Sequence, residues 1–403
     1  MDRVRVVHVI TRFDKGGSAE NTFLTVTGLD PARYETYLLA GSDGQDTAAA
    51  VSTPSAESAA AEENMARVRA AGVKTFIVPE LVRPVAPLRD LRAFLRIRGL
   101  IRRLAPQIVH THTSKAGIIG RLAAFSAGVP VVVHTPHGHV FWGYFGAVAS
   151  RFFITLEKSA SRLTDRLIML TGQEKADHLR YRIAPPDKFV VIHSGVCLEP
   201  FLQITIADRR PDSDPAFPPD SFVIGTIGRL TAIKGQSYLL EAAAGLLREI
   251  PELICIIVGE GELRRELAAR AASLGMGERA FFPGWRRDVP SYMAALDLFV
   301  MPSLNEGMGR VVVEAMAAGR AVIASDVGGL RDLVVHGENG LLVPPGNAAA
   351  LAAAIRTLYR DPKRRRIMGQ NGRMKAPAFS AAAMIKKIDE LYMNLLREKH
   401  VCR

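Results

Sequence analysis

Residues 298–314 read LFVMPSLNEGMGRVVVE. The run 298–301 has the length and apolar content of a buried strand, and a Gly-x-Gly turn from Gly307 to Gly309 leads into a helical pattern. A strand that passes into a helix through a glycine turn is the unit of a parallel α/β sheet. The free N–H groups of such a turn point at the strand's carboxyl end and favour an anion there. Glu306 lies on the loop and Glu314 about two turns into the helix. Carboxylates accept hydrogen bonds from sugar hydroxyls. The plainer reading is a capped helix with one internal glutamate, which would be partly buried among Val313, Ala315 and Met316 and would need a partner.

Outward from this unit the same alternation covers nearly the whole chain. Strand-like runs fall at 222–227, 253–258, 280–282 and 321–324, and earlier at 4–10, 36–40, 74–78, 108–111, 130–134, 167–170 and 189–193. Between them lie segments rich in Ala, Leu and Arg. Pro200, Pro211, Pro215, Pro218 and Pro219 interrupt the pattern with a linker composition. The expected organisation is a Rossmann-like domain over 1–198, a proline-rich linker over 199–220, a second Rossmann-like domain over 221–379, and a C-terminal helix over 380–403 that crosses back to the first domain. Open α/β sheets bind ligands at the carboxyl ends of their strands, so the two rims are expected to face each other across a cleft. Residues 46–63, rich in Ala, Ser, Thr and Glu, read as a mobile insertion.

Composition narrows the class. The 403 residues are 48% apolar and 23% charged, which excludes global disorder. Lys and Arg number 52 against 40 Asp and Glu, a net +12. That surplus favours an anionic partner: a phosphorylated substrate, an acidic membrane surface or a nucleic acid. Cys197, Cys255 and Cys402 are scattered and odd in number, so neither a disulfide framework nor a zinc site is expected, and a reducing compartment is. No apolar run reaches the roughly 18 residues of a membrane span, and the N-terminus lacks a signal-peptide core.

Other strand ends carry candidate chemistry. Gly16 and Gly17 follow the first strand within Asp14-Lys15-Gly16-Gly17-Ser18, and either form a tight turn or admit a phosphate to backbone amides. His134, His137 and His139 follow the fifth strand. Their spacing matches no standard zinc signature, leaving positioning, acid/base or structural roles. His110 and His112 precede Thr113-Ser114-Lys115 at another strand-to-helix corner, where capping is a sufficient reading. Arg229 with Lys234-Gly235 follows the first strand of the second half, where a guanidinium fork and a compact ammonium suit a diphosphate. Gly259-Glu260-Gly261 lacks the third glycine of a dinucleotide fingerprint. Asp212-Ser213-Asp214 matches a metal motif but falls in the linker, and reads as solvated charge.

Together, the Glu306 and Glu314 pair, Arg229 with Lys234-Gly235, Gly16-Gly17 and His137-Gly138 resemble glycosyltransferase family 4, retaining enzymes of the GT-B architecture that use nucleotide sugars. The resemblance runs from about residue 4 to 395, and the glutamate pair is its specific part. It implies that Gly16 and Gly17 lie near donor phosphates and His137 beside the transferred sugar. Arg229 and Lys234 would hold the diphosphate, and Glu306 the sugar hydroxyls. Amides of Met308, Gly309 and Arg310 would meet phosphate, Glu314 the ribose, and the turn Phe282-Pro283-Gly284 the base. His137, Lys234 and Glu306 would be the catalytic set, with no metal and no cofactor. The run from His110 to Gly117, with His137 to Phe141, looks like bacterial members that build surface polysaccharides or lipid-linked glycans. Two positions depart from the family: Ser194-Gly195 where Asn-Gly is frequent, and Asp332 where Glu is.

The implied reaction moves a sugar from a nucleotide diphosphate, UDP before GDP, to a hydroxyl of a glycan or lipid-linked acceptor. The alternatives are a nucleotide-sugar 2-epimerase of the same architecture and a non-catalytic nucleotide-binding protein; no nucleic-acid motif is present. Residues 83–103 hold seven arginines against Asp90. There Leu91, Phe94, Ile97, Ile101 and Leu104 form one apolar face and Arg89, Arg92, Arg96 and Arg103 another, which suits an anionic membrane surface or a solvated helix. The expected location is cytoplasmic, peripheral at the inner face of the plasma membrane. The stretch from Phe141 to Phe145 adds aromatics that would meet a lipid acceptor or pack.

Overall fold

A computed structural model describes residues 3–14, 16–42, 56–138, 146–204, 217–218 and 220–401. The chain forms two compact units, one of Met1–Gly195 with Ala381–Arg403, the other of Val196–Ser380.

The first unit holds β1 (Val4–Ile10), β2 (Tyr34–Gly41), β3 (Lys74–Val78), β4 (Ile108–His112), β5 (Val131–Thr135), β6 (Arg166–Met169) and β7 (Phe189–Val191). Their order is β3-β2-β1-β4-β5-β6-β7, with every pairing parallel. The second unit holds β8 (Phe222–Ile227), β9 (Leu253–Val258), β10 (Ala280–Gly284), β11 (Leu298–Met301), β12 (Ala321–Ser325) and β13 (Gly340–Val343). It repeats the pattern as β10-β9-β8-β11-β12-β13. Central strands such as β9, LICIIV, are buried along their whole length, as a sheet covered on both faces requires. Each sheet reverses its winding once, between β1 and β4 and between β8 and β11. Loops leaving these paired strands diverge to opposite faces and open a crevice at the rim.

The end of the chain belongs to the first unit. Helix Ala381–Glu398 buries Met384, Ile388, Tyr392, Leu395 and Leu396 against Val6, Ile108 and Val133. Asp389 accepts hydrogen bonds from Tyr34 Oη (2.6 Å) and Arg33 Nη1 (2.7 Å). Ser194 and Gly195, the departure noted above, sit where the chain leaves this unit. Asn21 Nδ2 donates to Ser194 Oγ at 2.9 Å, and a Cβ at Gly195 would come 2.7 Å from Ala381 Cα.

Three expectations differ from the structure. The first unit ends at Gly195 rather than 198. Leu198, Phe201, Ile204 and Phe217, at the edges of the expected linker, are buried in the second unit's core because each apolar side chain gains by leaving water. Residues 56–63, read as mobile, begin helix Ala56–Ala70, in keeping with the helix propensity of their alanines. Strand β13 was not anticipated: four residues between turn signals carry too short a pattern to read. The rest of the insertion, Cys402, and Asp212 to Asp214 lie outside the described residues.

Tyr392 is fully buried, and its hydroxyl lies 2.6 Å from His110 Nδ1. Removing only that hydroxyl strands a buried imidazole nitrogen. Tyr392→Phe is expected to cost about 1–3 kcal/mol in urea unfolding; an unchanged midpoint and slope would show that the contact contributes nothing.

Candidate active site

In the second unit the two loops that leave β8 and β11 are laced together. Lys234 ends a short 3-10 turn, Ala232–Lys234, after β8. Its Nζ lies 2.5 Å from Glu306 Oε2 on the loop after β11, and Ser303 Oγ donates to the same oxygen at 3.2 Å. Backbone follows side chain: Leu304 N donates to Ile233 O at 2.8 Å. Gly235 makes this approach sterically feasible. It holds φ +66°, and a Cβ there would fall 2.2 Å from Pro302 O. Gly309, at φ +73°, caps helix Arg310–Ala317 and turns its first amides toward the rim.

The sequence-selected residues distribute around this contact. Arg229 is exposed on the β8 loop, with its carbonyl held by Gln236 Nε2 at 2.9 Å. Met308 is buried, while Arg310 and Glu314 are half-buried on the helix that follows Glu306. Phe282 turns its ring into the core, so its backbone and Gly284 are what the β10 turn offers the rim. Gly259 N donates to Gly284 O, Gly228 N to Val258 O and Leu230 N to Glu260 O, each at 2.9 Å. The Gly259-Glu260-Gly261 stretch is therefore a spacer that lets neighbouring rim loops stack closely.

In the first unit, Gly16 and Gly17 open helix Gly17–Gly28, and neither position would crowd an added Cβ. Lys15 and His139 lie outside the described residues, as do Phe141 to Phe145. The histidines do not form the single cluster that their sequence spacing suggests. His134 points to the face of Arg121 and Glu157, where Arg121 forms a bidentate pair with Glu157 at 2.8 Å. Burial would push the Glu157 carboxyl up, but the Arg121 charge prevails and holds it at about 2. His134 Nδ1 lies 2.9 Å from Thr111 Oγ1. It is structural.

His110 and His112 do not cap a helix either. They lie on the opposite face with His8, which register pairs with His110. His8 Nδ1 and His112 Nε2 are 3.0 Å apart, and His112 Nδ1 and His137 Nε2 are 3.0 Å apart. His110 is held by Tyr392 Oη and, at 2.8 Å, by Thr135 Oγ1. Burial lowers every one of these imidazoles, His8 and His137 to about 3, so all are neutral at pH 7. A neutral imidazole donates from one nitrogen and accepts at the other. The tautomers of His8, His112 and His137 are therefore set together. Nitrogens of His8, His110 and His112 approach within 4.8 Å, as metal ligands would. Both nitrogens of His110 and of His112 are already hydrogen bonded, which leaves only His8 Nε2 and makes this a hydrogen-bond network.

His137 takes φ +59°, unusual for a residue with a side chain. Glu174 fixes that turn. One carboxylate oxygen accepts from Gly138 N at 2.9 Å and the other from Leu170 N at 2.7 Å. Thr171 Oγ1 in turn accepts from Glu174 N at 3.0 Å and caps helix Gly172–Arg180, while the Glu174 side chain reaches past the cap to Leu170 N and out to the His137 loop. Neither His8 nor Glu174 was selected from sequence. Thr171-x-x-Glu174 is a readable capping signature; His8 had no signal beyond strand alternation.

Burial raises the Glu174 carboxyl to about 7. A carboxyl raised on folding stabilises below its unfolded value and loses that contribution as pH rises to its folded one. Between about pH 4.5 and 7 the wild type should lose stability from this group, roughly 3 kcal/mol at most. Glu174→Gln should flatten that part of the pH–stability curve. Parallel curves for the two proteins would refute the assignment.

Residues 15–200 match the sequence model of glycosyltransferase family 4, and residues 209–375 that of glycosyl transferases group 1. The chain is 33% identical over 331 residues to UDP-Gal:alpha-D-GlcNAc-diphosphoundecaprenol alpha-1,3-galactosyltransferase of Escherichia coli, a match covering 81% of this chain and 85% of that protein. It is 26% identical over 330 residues to the capsular polysaccharide biosynthesis glycosyltransferase CapM of Staphylococcus aureus, covering 80% and 85%. Among solved structures, Anabaena HepE in complex with UDP superposes with a TM-score of 0.77 at 22% identity, covering 97% of this chain and all of that one.

Proposed function

The chain belongs to glycosyltransferase family 4, and from that premise we propose that it transfers a hexosyl or N-acetylhexosaminyl group from a UDP-sugar, with retention, to a hydroxyl of a lipid-linked or polysaccharide acceptor. The Lys234–Glu306 contact at the reversal point of the second sheet carries this reading. The Escherichia coli relative, whose name specifies UDP-Gal and a diphosphoundecaprenol-linked acceptor, supports the donor and acceptor classes. Its kind of activity and that of CapM also disfavour the epimerase alternative.

In this proposal Arg229 and Lys234 bind the diphosphate and offset the charge that grows on it as the glycosidic bond breaks, a role that requires no metal. The amides of Met308, Gly309 and Arg310 meet phosphate at the helix N-terminus. Glu306, fixed by Lys234 and Ser303, accepts hydrogen bonds from sugar hydroxyls and orients the anomeric carbon. Glu314 holds the ribose, and the Phe282–Gly284 turn the base. On the first unit, Gly16 and Gly17 supply phosphate-facing amides. His137, kept neutral by burial, hydrogen bonds the sugar without adding charge. The acceptor oxygen bonds to the anomeric carbon on the face from which the phosphate oxygen departs, and the acceptor proton passes to that phosphate. The proposed place of work is the cytoplasmic side of a membrane; among the described residues no helix is long and apolar enough to cross one.

Loss of Lys234 or Glu306 should act on turnover, and loss of Glu314 on donor binding. With UDP-sugar donors and a lipid-linked acceptor, Lys234→Ala and Glu306→Gln are expected to lower kcat about a hundredfold. Glu314→Gln should raise donor KM about tenfold and leave kcat nearly intact. Near-normal turnover in the first two variants, with unchanged thermal melts, would refute the site.

Divalent metal should be dispensable. Activity is expected to survive EDTA, because the cationic groups above carry the leaving-group charge. Activity abolished by EDTA and restored only by Mg²⁺ or Mn²⁺ would contradict that part of the mechanism.

A further inference from the structure

His8, His112 and His137 form an open chain with two ends. The inner contact joins His8 Nδ1 to His112 Nε2 and the outer one joins His112 Nδ1 to His137 Nε2, both at 3.0 Å. His8 Nε2 and His137 Nδ1 are left over. Both atoms are buried, and among the described residues neither has a partner. His110 lies against the chain but is held by Tyr392 and Thr135 and takes no part in it. The two ends differ in their surroundings. His8 lies within β1, between Leu38 and His110, and is fully buried. It shares its face of the strand with Val6, which packs against the C-terminal helix. His137 stands two residues beyond β5, at the carboxyl-end rim where open α/β sheets bind their ligands.

Proton counting allows this chain only two settings. Burial keeps all three imidazoles neutral at pH 7, so each carries one N–H. Each contact needs one proton between its two nitrogens. Were His8 and His137 both to donate to His112, that ring would carry no proton; were both to accept from it, it would carry two and a charge. The three rings must therefore share one tautomer, all Nδ1–H or all Nε2–H. In the first setting His137 Nδ1 is a donor and His8 Nε2 a bare lone pair. In the second His137 Nδ1 is an acceptor and His8 Nε2–H has no partner. Reversal takes a proton out at one end and puts another in at the opposite end, so the chain holds the same number of protons in both settings.

Without a ligand the settings are balanced, since each strands one N–H and one lone pair. An oxygen bound at His137 breaks the balance. A hydroxyl satisfies either form of His137 Nδ1, so the His8 end decides between them. Buried N–H groups without an acceptor are rarer in proteins than buried acceptors short of a donor. We propose that His8 and His112 are positioning residues that set His137 as a hydrogen-bond donor, its Nδ1–H given to an oxygen of the bound donor sugar. The proposal rests on the sugar contact of His137 stated above and adds its direction. His8 touches no ligand and acts through His112. A hydroxyl or carbonyl oxygen accepts from such a donor, whereas a protonated amine at that place on the sugar cannot.

The test is long-range proton–nitrogen correlation spectroscopy of the full chain carrying nitrogen-15 histidine, which separates protonated from bare ring nitrogens. UDP-galactose, UDP-glucose and UDP-N-acetylglucosamine are the probes, and calorimetry shows which of them bind. In the free protein the three rings should show one shared tautomer or one shared mixture of the two. With a UDP-sugar bound all three should be Nδ1–H, His8 included. His112→Phe should uncouple them, so that His8 no longer responds to the sugar and kcat/KM falls about tenfold, the value of one hydrogen bond. Unmatched tautomers in the free protein, a bound sugar that leaves the rings Nε2–H, or a His8 response that survives in folded His112→Phe would overturn the proposal. The wild-type spectra decide it even where that variant does not fold. Unmatched tautomers with intact turnover would sink the chain alone; matched tautomers that turn to Nδ1–H in a protein without transferase activity would uphold the chain and sink the transfer reading. Failure of all three UDP-sugars to bind would overturn both.

Discussion

The contact between Lys234 and Glu306 joins two loops 72 residues apart in sequence, and the proposed chemistry of the second unit depends on it. Its value is positional. A partly exposed ion pair contributes about 1 kcal/mol or less to stability. What it fixes is a carboxylate and an ammonium side by side at the point where β8 and β11 part. The alternating apolar runs build the sheet, the sheet order creates the crevice, and Gly235 and Gly309 let the loops close on each other there. The ammonium keeps further N–H donors beyond the one given to Glu306.

The first unit solves a different problem. Among the described residues five histidines are buried in it, and a buried polar group without a partner is costly. Most of their nitrogens are satisfied by threonines, by a tyrosine and by one another. Tyr392, nearly the last helical turn of the chain, completes that network at His110. The C-terminal helix is thus part of the buried histidine network of the first unit as well as of its core. Glu174 extends the same logic to the backbone, holding the turn on which His137 is presented.

Legibility in the sequence followed the range of the interaction. The α/β alternation, the glycine turns and the Lys234 and Glu306 loops could be read because each is a local pattern with a periodicity or a spacing. Pairings that depend on strand register could not. Nothing within a few residues of His8 announces His112, and His134 on β5 and His137 in the turn after it meet different surroundings although they are three positions apart. The arginine-rich helix shows the same limit. Its amphipathic character was plain, and Phe94, Ile97, Ile101 and Leu104 of the apolar face do pack in the core, but the helix is turned to bury Ala93 and leaves Leu91 in solvent. Proline content marked the break after the first unit, yet it did not reveal that Leu198, Phe201 and Phe217 would be captured by the second unit's core.

The proposed transfer depends on recognition of a diphosphate at the second unit's rim by Arg229 and Lys234. Calorimetric titration of UDP and of uridine into wild-type, Arg229→Ala and Lys234→Ala proteins tests it directly. Each variant should weaken UDP binding by about tenfold or more, as charge-assisted contacts to phosphate require, while uridine binding stays unchanged. Equal losses for UDP and uridine, or none for either, would contradict it.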